Sequence, residues 1–280
     1  MKFTKMQGCG NDYIYVNCFA EEVSDPSALA RKISNRHYGV GSDGLILIEP
    51  SKKADAYMHM FNADGSEGTM CGNGIRCVAK YLYDHGIVPA NRRSVSIDTQ
   101  AGVKRITFRV ESGKASELTV DMGCPLLTSQ LPEPITIENM SLRFVGVDVG
   151  NPHAVYFLED NPELNSAHVS TLDLTRLGST FETHPRFPHR VNSEFVELIS
   201  PSEINFRVWE RGSGETLACG TGAVAAVYAG ICLKKLDGGV LVHLPGGNLI
   251  VTFDSGSGHF FLSGNAEEVF VGEYTHGHDS

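Results

Sequence analysis

Two cysteines, Cys71 and Cys219, close loops that read as copies of one another. The first runs Phe61-Asn62-Ala63-Asp64-Gly65-Ser66-Glu67-Gly68-Thr69-Met70-Cys71-Gly72-Asn73-Gly74. The second runs Trp209-Glu210-Arg211-Gly212-Ser213-Gly214-Glu215-Thr216-Leu217-Ala218-Cys219-Gly220-Thr221-Gly222. In each, an aromatic and a polar residue precede a Gly/Ser/Glu loop that ends in Cys-Gly-x-Gly. Asn62 leads Cys71 by the same interval at which Glu210 leads Cys219. A helical pattern follows each cysteine, so each thiol is expected at a helix N-terminus. There the dipole and the unpaired N–H groups lower a thiol pKa from ~8.5 by about a unit or more. The glycines leave those N–H groups open to an anion. Two such ends converging on one point would clamp a carboxylate between two thiols. With one thiol ionised and the other protonated, the pair could take a proton from one face of a carbon and return one to the other. That is the chemistry of racemisation, with both dipoles stabilising the enolate-like charge.

Other chemistries fit less of the pattern. A single cysteine at a helix start is an ordinary structural feature, but two in matched glycine-flanked loops are not. A redox disulfide lacks the CxxC setting that would poise it. A cysteine nucleophile with a histidine base is an alternative. His153, after Gly150-Asn151-Pro152, could serve either scheme, but a nucleophile leaves the second loop unexplained. No CxxC or Cys/His pair has zinc spacing, so no metal site is expected. Cys18, Cys77, Cys124 and Cys232 are expected to be small buried hydrophobes. The remaining histidines are expected to be surface or core residues.

The chain has 280 residues, 41% hydrophobic and 20% charged, enough for two ordinary domains with real cores. A net charge of −10 disfavours nucleic acid and anionic membrane as partners. No basic run is longer than a pair, as at Arg92-Arg93 and Lys234-Lys235. No stretch has transmembrane character, and the N-terminus runs into a strand pattern without an apolar signal core. A cytoplasmic location is expected.

The elements that would carry the loops repeat as well. Strand patterns at 3–6 and 13–16 flank the turn Gly8-Cys9-Gly10-Asn11-Asp12, and 27–35 has helical spacing. A tight loop, 39–44, leads into the strand 45–48, and 56–61 delivers Asn62. The first apolar helix is predicted over 74–85, stopped by Gly86. Strands follow at 95–99, 103–110 and 117–122. After a Pro-containing crossing to Pro134, strand, Gly-Asn turn and strand recur over 147–157. A weak helix follows at 166–177, with strands at 191–198 and 204–209. The second helix, 222–233, is apolar nearly all round and so should be buried on every side. Strands at 240–244, 249–253, 260–263 and 266–271 complete the pattern, and 275–280 is expected to fray. The expectation is an α+β fold of two pseudo-symmetric αβ domains, each a curled, mostly antiparallel sheet around a central helix. The duplication implies one active site between the halves, with Cys71 facing Cys219. The domains are placed at 1–120 plus 265–280 and at 121–264.

Taken together, Gly10-Asn11-Asp12, Asn62, Met70-Cys71-Gly72-Asn73-Gly74, Gly150-Asn151-Pro152-His153, Arg190-Val191-Asn192, Glu210-Arg211-Gly212 and Ala218-Cys219-Gly220-Thr221-Gly222 resemble, essentially end to end, the diaminopimelate epimerase family. These are pyridoxal-phosphate-independent amino-acid epimerases of lysine and peptidoglycan precursor synthesis. The resemblance implies interconversion of LL- and meso-diaminopimelate with no metal or organic cofactor. Cys71 and Cys219 would be the two acid/base thiols, and Gly72, Asn73, Gly220 and Thr221 would hold the reacting carboxylate by backbone N–H groups. Asn62, Asn151, Asn192 and Arg211 would bind the distal end of the substrate, the Arg211 fork suiting a carboxylate. Asn11 would line the pocket, and His153 and Glu210 would orient thiols and substrate. Two positions depart from some relatives: Gly44 stands where they carry Gln, and Phe270 where they place Tyr at a dimer contact. A homodimer is implied only by the resemblance. Proline and hydroxyproline racemases also pair two cysteines, but resemble Met-Cys-Gly-His and Asp-Arg-Ser-Pro-Cys-Gly-Thr at these loops. A non-catalytic amino-acid-binding protein on this scaffold would not need both thiols.

Overall fold

The protein is described by a computed structural model covering residues 1–275. The fraying expected over 275–280 falls, from residue 276 onward, outside the described residues. The chain divides into two compact units, Met1–Val120 with Gly264–Ser280, and Asp121–Ser263.

Unit 1 opens with β1 (Lys2–Gly8) and β2 (Asn11–Asn17), an antiparallel hairpin. Its turn residues Cys9 and Gly10 both have positive φ, 52° and 77°. Helix α1 (Pro26–Ile33) begins where Pro26 presets φ and Asp25 accepts the Ala28 N–H at 2.9 Å. It returns the chain to β3 (Gly44–Glu49), parallel to β2, and β4 (Ala56–Asn62) pairs antiparallel with β3. A short β5 (Glu67–Gly68) leads into helix α2 (Gly72–Asp84). Ile75, Val78, Ala79 and Leu82 of α2 are fully buried. Strand β6 (Ser94–Asp98) runs parallel to β4, and β7 (Lys104–Glu111) and β8 (Lys114–Gly123) continue antiparallel.

Unit 2 repeats this order after β9 (Leu126–Leu127) and β10 (Glu133–Ile137). Strands β11 (Met140–Asp148) and β12 (Pro152–Phe157) pair antiparallel. Helix α3 (Leu174–Glu182) precedes β13 (Asn192–Ser200), which is parallel to β12. Then β14 (Glu203–Glu210), β15 (Gly214–Thr216), α4 (Gly220–Cys232), β16 (Gly239–Leu244), β17 (Gly247–Phe253) and β18 (Phe260–Gly264) follow with the same pairings. The chain re-enters unit 1 as β19 (Glu267–Glu273), antiparallel to β1. The molecule is therefore α+β, with the same mostly antiparallel αβ arrangement twice.

Three local expectations are corrected. The helix predicted over 166–177 is instead a 3-10 turn (Val169–Thr171) followed by α3, which begins at Leu174. Asp173 caps it by accepting the Arg176 N–H at 3.1 Å, and Leu177 and Phe181 enter the core. Strand β10 was not visible in a Pro-containing stretch. Its only pairing among the described residues is with β11, so it is an edge strand, where Pro134 removes no needed donor. The cysteines are not uniformly core residues: Cys77 is buried, Cys18 and Cys232 are half-buried, and Cys124, in the turn after β8, is exposed.

Candidate active site

The two thiols occupy the same local position. Cys71 is the N-cap of α2, with φ −129° and ψ 120°, and its sulfur accepts the Gly74 N–H at 3.3 Å. Cys219 is the N-cap of α4, with φ −125° and ψ 110°, and accepts the Gly222 N–H at 3.4 Å. Extended backbone at the cap aims each sulfur across the first turn, where helical N–H groups lack partners.

Within unit 1, the Cys71 S–H donates to Asn11 Oδ1 at 3.1 Å, and Asn11 Nδ2 donates to Asp43 Oδ2 at 2.7 Å. Asn73 is buried and accepts at Oδ1 from Arg76 Nη2, 2.9 Å away. Arg76 is itself fully buried, and its Nη1 donates to the Gly72 carbonyl at 3.1 Å. Asn62, at the end of β4, donates to Ser66 Oγ at 3.0 Å within its own turn. Gly44 pairs with Tyr13 and Asn62, and a Cβ there would lie 2.1 Å from the Phe61 carbonyl oxygen. A side chain at this position would therefore require the Phe61 carbonyl and the Tyr13 ring to shift.

Within unit 2, a ring of side chains surrounds Cys219. Its sulfur lies 3.5 Å from Thr221 Oγ1, which accepts from Asn151 Nδ2 at 3.3 Å. Asn151 Oδ1 is 2.9 Å from His153 Nε2, and His153 Nδ1 is 2.6 Å from Glu194 Oε1. Asn192, at the start of β13, accepts the Arg211 backbone N–H at 2.8 Å. Glu210 Oε1 accepts from Thr216 Oγ1 at 2.5 Å. Arg211 is exposed and donates from Nη1 to the His189 carbonyl at 3.3 Å. The loop after Glu210 is held by Glu182, which accepts from Trp209 Nε1 at 2.8 Å and from the Gly212 N–H at 2.9 Å.

Burial reverses one expectation. The Cys219 thiol is pushed well above its ordinary value by burial, then by the charges of Glu210 and Glu194. Thr221 and the Gly222 N–H offset only part of this. Burial also holds His153 down to about 3, so its imidazole is neutral. Sequence patterns did not single out Glu194, Arg76, Asp43 or Glu182. Among the described residues no group of His, Cys, Asp and Glu is arranged to hold a metal ion.

In fold, the molecule has the two repeated αβ domains seen in proline-racemase-like and PhzF-like structures. It is similar in structure to a probable proline racemase from Agrobacterium radiobacter, with a TM-score of 0.70 at 15% identity over 99% of this chain and 93% of that one. It is also similar to a PhzF-family phenazine biosynthesis protein of Bacillus anthracis, with a TM-score of 0.69 at 17% identity over 98% and 99%. Sequence narrows the class. The diaminopimelate epimerase family model matches residues 3–128 and 145–269. The chain is 49% identical to a diaminopimelate epimerase of Agathobacter rectalis over 98% of this chain and 99% of that one. To those of Desulfovibrio desulfuricans and Methanococcus maripaludis it is 46% and 43% identical, again over 98% of this chain. The chain belongs to the diaminopimelate epimerase family.

Proposed function

We propose that the protein interconverts LL- and meso-2,6-diaminopimelate in lysine and peptidoglycan precursor biosynthesis, without metal or organic cofactor. Its thiols Cys71 and Cys219 act as paired base and acid on one α-carbon. One removes the α-proton as thiolate, and the other, as thiol, protonates the opposite face. The observation that carries this is the matched pair of N-cap sulfurs, each receiving the N–H of the third residue onward. N–H groups of Gly72, Asn73, Gly220 and Thr221 hold the reacting carboxylate and the charge that develops on it. Asn62, Asn151, Asn192 and Arg211 take the distal amino-acid end, Asn11 lines the pocket, and His153 and Glu210 orient the reacting groups. The two αβ domains, 1–120 plus 265–280 and 121–264, each contribute one thiol.

Proton NMR in D₂O tests the reaction. Loss of the α-proton signal of LL-diaminopimelate with appearance of the meso form, and no exchange of L-proline in a parallel sample, is expected. Exchange of proline alone would overturn the substrate, and exchange of neither by folded, reduced protein would overturn the reaction. A cytoplasmic homodimer completes the proposal. Support for the dimer is a run of exposed apolar residues on β19, Val269, Phe270 and Val271, with Phe270 packed edge-on to Phe3 at 6.0 Å. Light scattering on the eluting protein should return twice the chain mass, and a monomer would refute it.

A further inference from the structure

The two units differ beneath their thiols. In unit 1, β2 and β3 pair Tyr15 with Ile46, and in unit 2, β12 and β13 pair Val155 with Glu194. A Cβ on Gly74 would meet Ile46 Cδ1 at 2.8 Å, whereas one on Gly222 would meet Glu194 Oε1 at 3.0 Å. The repeat thus puts a methyl under the Cys71 turn and a carboxyl under the Cys219 turn, both fully buried.

The hydrogen bonds leading away from that carboxyl have a direction. Asn151 donates its Nδ2 to Thr221, which leaves Oδ1 to accept from His153 Nε2–H. A neutral imidazole protonated at Nε2 offers only a lone pair at Nδ1. The 2.6 Å contact with Glu194 Oε1 therefore needs the carboxyl's proton. Glu194 Oε2 has no hydrogen-bond partner among the described residues, and the Ala154 and Glu194 backbone N–H groups, which favour the ionised form, do not offset its burial. Burial, then the charge of Glu210, holds this carboxyl well above the usual range. Thr221, already accepting from Asn151, has its own O–H left to give to the sulfur. The groups that bear on Glu194 are His153, Tyr156 and the Ala154 N–H from β12, Glu210 from β14 and Cys219 from α4, while Asp148, Glu210 and Arg211 bear on His153.

We propose that protonated Glu194 is a positioning residue for the Cys219 thiolate. Its O–H fixes His153 as the Nε2–H tautomer and, through Asn151, turns the Thr221 hydroxyl hydrogen onto the Cys219 sulfur. This rests on Cys219 being one of the acid/base thiols. When Glu194 loses its proton, Nδ1 takes the imidazole hydrogen and Nε2 becomes an acceptor. The Asn151 amide then turns over, and the Thr221 hydrogen leaves the sulfur. Turnover therefore falls on the alkaline side.

The first measurement is ¹⁵N NMR of the His153 imidazole in the unmodified protein at neutral pH. The Nε2–H tautomer with a hydrogen-bonded Nδ1 is expected, and an Nδ1–H tautomer or an imidazolium overturns the proposal. This readout needs no turnover, so it fails independently of the epimerase reaction. The second is kcat and KM against pH for the wild type, Glu194→Gln and Glu194→Met. Gln keeps an N–H donor for Nδ1 and does not ionise, whereas Met keeps the volume and loses the donor. Glu194→Met should lower kcat about 10-fold with KM within about 3-fold, the pattern of a lost transition-state contact. Glu194→Gln should recover most of kcat and lack the alkaline inflection of the wild type. Wild-type kcat in Glu194→Met, or equal defects in both variants, overturns the proposal.

Discussion

Gly178→Ala is the substitution whose effect follows most directly from packing. Gly178 is buried in α3, and a Cβ there would lie 2.0 Å from Trp209 Cδ2, 2.2 Å from Cε3 and 2.6 Å from Cγ. These atoms sit at the fused centre of the indole, so no flexible tip can move aside. The ring must swing, and its 2.8 Å hydrogen bond to Glu182 must break. Overpacking costs about 1–3 kcal/mol, and losing a hydrogen bond to a charged group about 1.5–3 kcal/mol. Alanine returns about 1 kcal/mol of helix propensity. The net loss is about 3 kcal/mol, a fall in Tm of about 6–12 °C for a chain of this size. Trp209 is the single tryptophan of the chain, so its emission reports the displacement directly. Because Glu182 also holds the Gly212 N–H beside Arg211, KM should rise more than kcat falls. Calorimetry, selective tryptophan fluorescence and steady-state kinetics check the three consequences. An unchanged Tm with unchanged emission would refute the steric argument.

Further outcomes follow from the site. Cys71→Ser and Cys219→Ser should each lower kcat by about 10³-fold or more, since an alkoxide is a far less accessible base than a thiolate. Near-wild-type turnover in either variant would end the two-base mechanism. Arg76→Met removes the donor that orients Asn73, and kcat/KM should fall about 10-fold as the carboxylate cradle loosens; unchanged kinetics would show that Arg76 only fills space. Folding raises the Glu194 pKa above its unfolded value of ~4.3, so the folded state binds that proton more tightly. The stability this contributes is complete below the unfolded value and is lost as pH rises through the folded one. Urea midpoints of the wild type should therefore decline relative to Glu194→Gln as pH climbs above ~4.3. Parallel pH profiles would contradict a neutral carboxyl in the fold.

The residues legible in the sequence were those whose backbone role leaves a trace in neighbouring residue types. Cys-Gly-x-Gly announced both N-caps, because a cap thiol followed by glycines has few other uses. The apolar stripe from Ile75 to Leu82 and the nearly all-apolar 223–231 announced α2 and α4. Residues that act from beneath were not legible. Glu194 lies in a strand whose first five residues are all buried, so alternation gives no sign of which way its carboxyl faces. Arg76 sits beside the α2 stripe and reads as a surface residue until Gly72, Asn73 and Cys9 close over it. The helix expected at 166–177 was misplaced because Ser166, Ser170 and Thr171 offer possible caps ahead of Asp173, the one the helix uses.

The duplication also hid what distinguishes the two halves. Asn11 and Asn151 occupy matching turns, yet their amides are oriented by opposite partners. Asp43 accepts from Asn11 Nδ2 and leaves Oδ1 facing Cys71, which must then donate its S–H. His153 gives its Nε2–H to Asn151 Oδ1, so the amide presents its hydrogens to Thr221 and cannot accept from that hydroxyl. On the proposed mechanism these polarities favour Cys71 as thiol and Cys219 as thiolate, against the upward push of burial on Cys219. A racemising pair exchanges those protonation states at every turnover, so each form of the free enzyme accepts a different stereoisomer. The asymmetry cannot alter the equilibrium between isomers, but it populates one enzyme form over the other. Asp43→Asn offers Asn11 a donor as well as an acceptor and so weakens the preference at Cys71. The ratio of the two KM values should then shift from its wild-type value, and the ratio of the two kcat values must shift by the same factor, because the Haldane relation fixes their quotient at the equilibrium constant. An Asp43→Asn variant whose KM ratio and kcat ratio both stay at the wild-type values would show that the amide orientation at Asn11 does not set the resting protonation state.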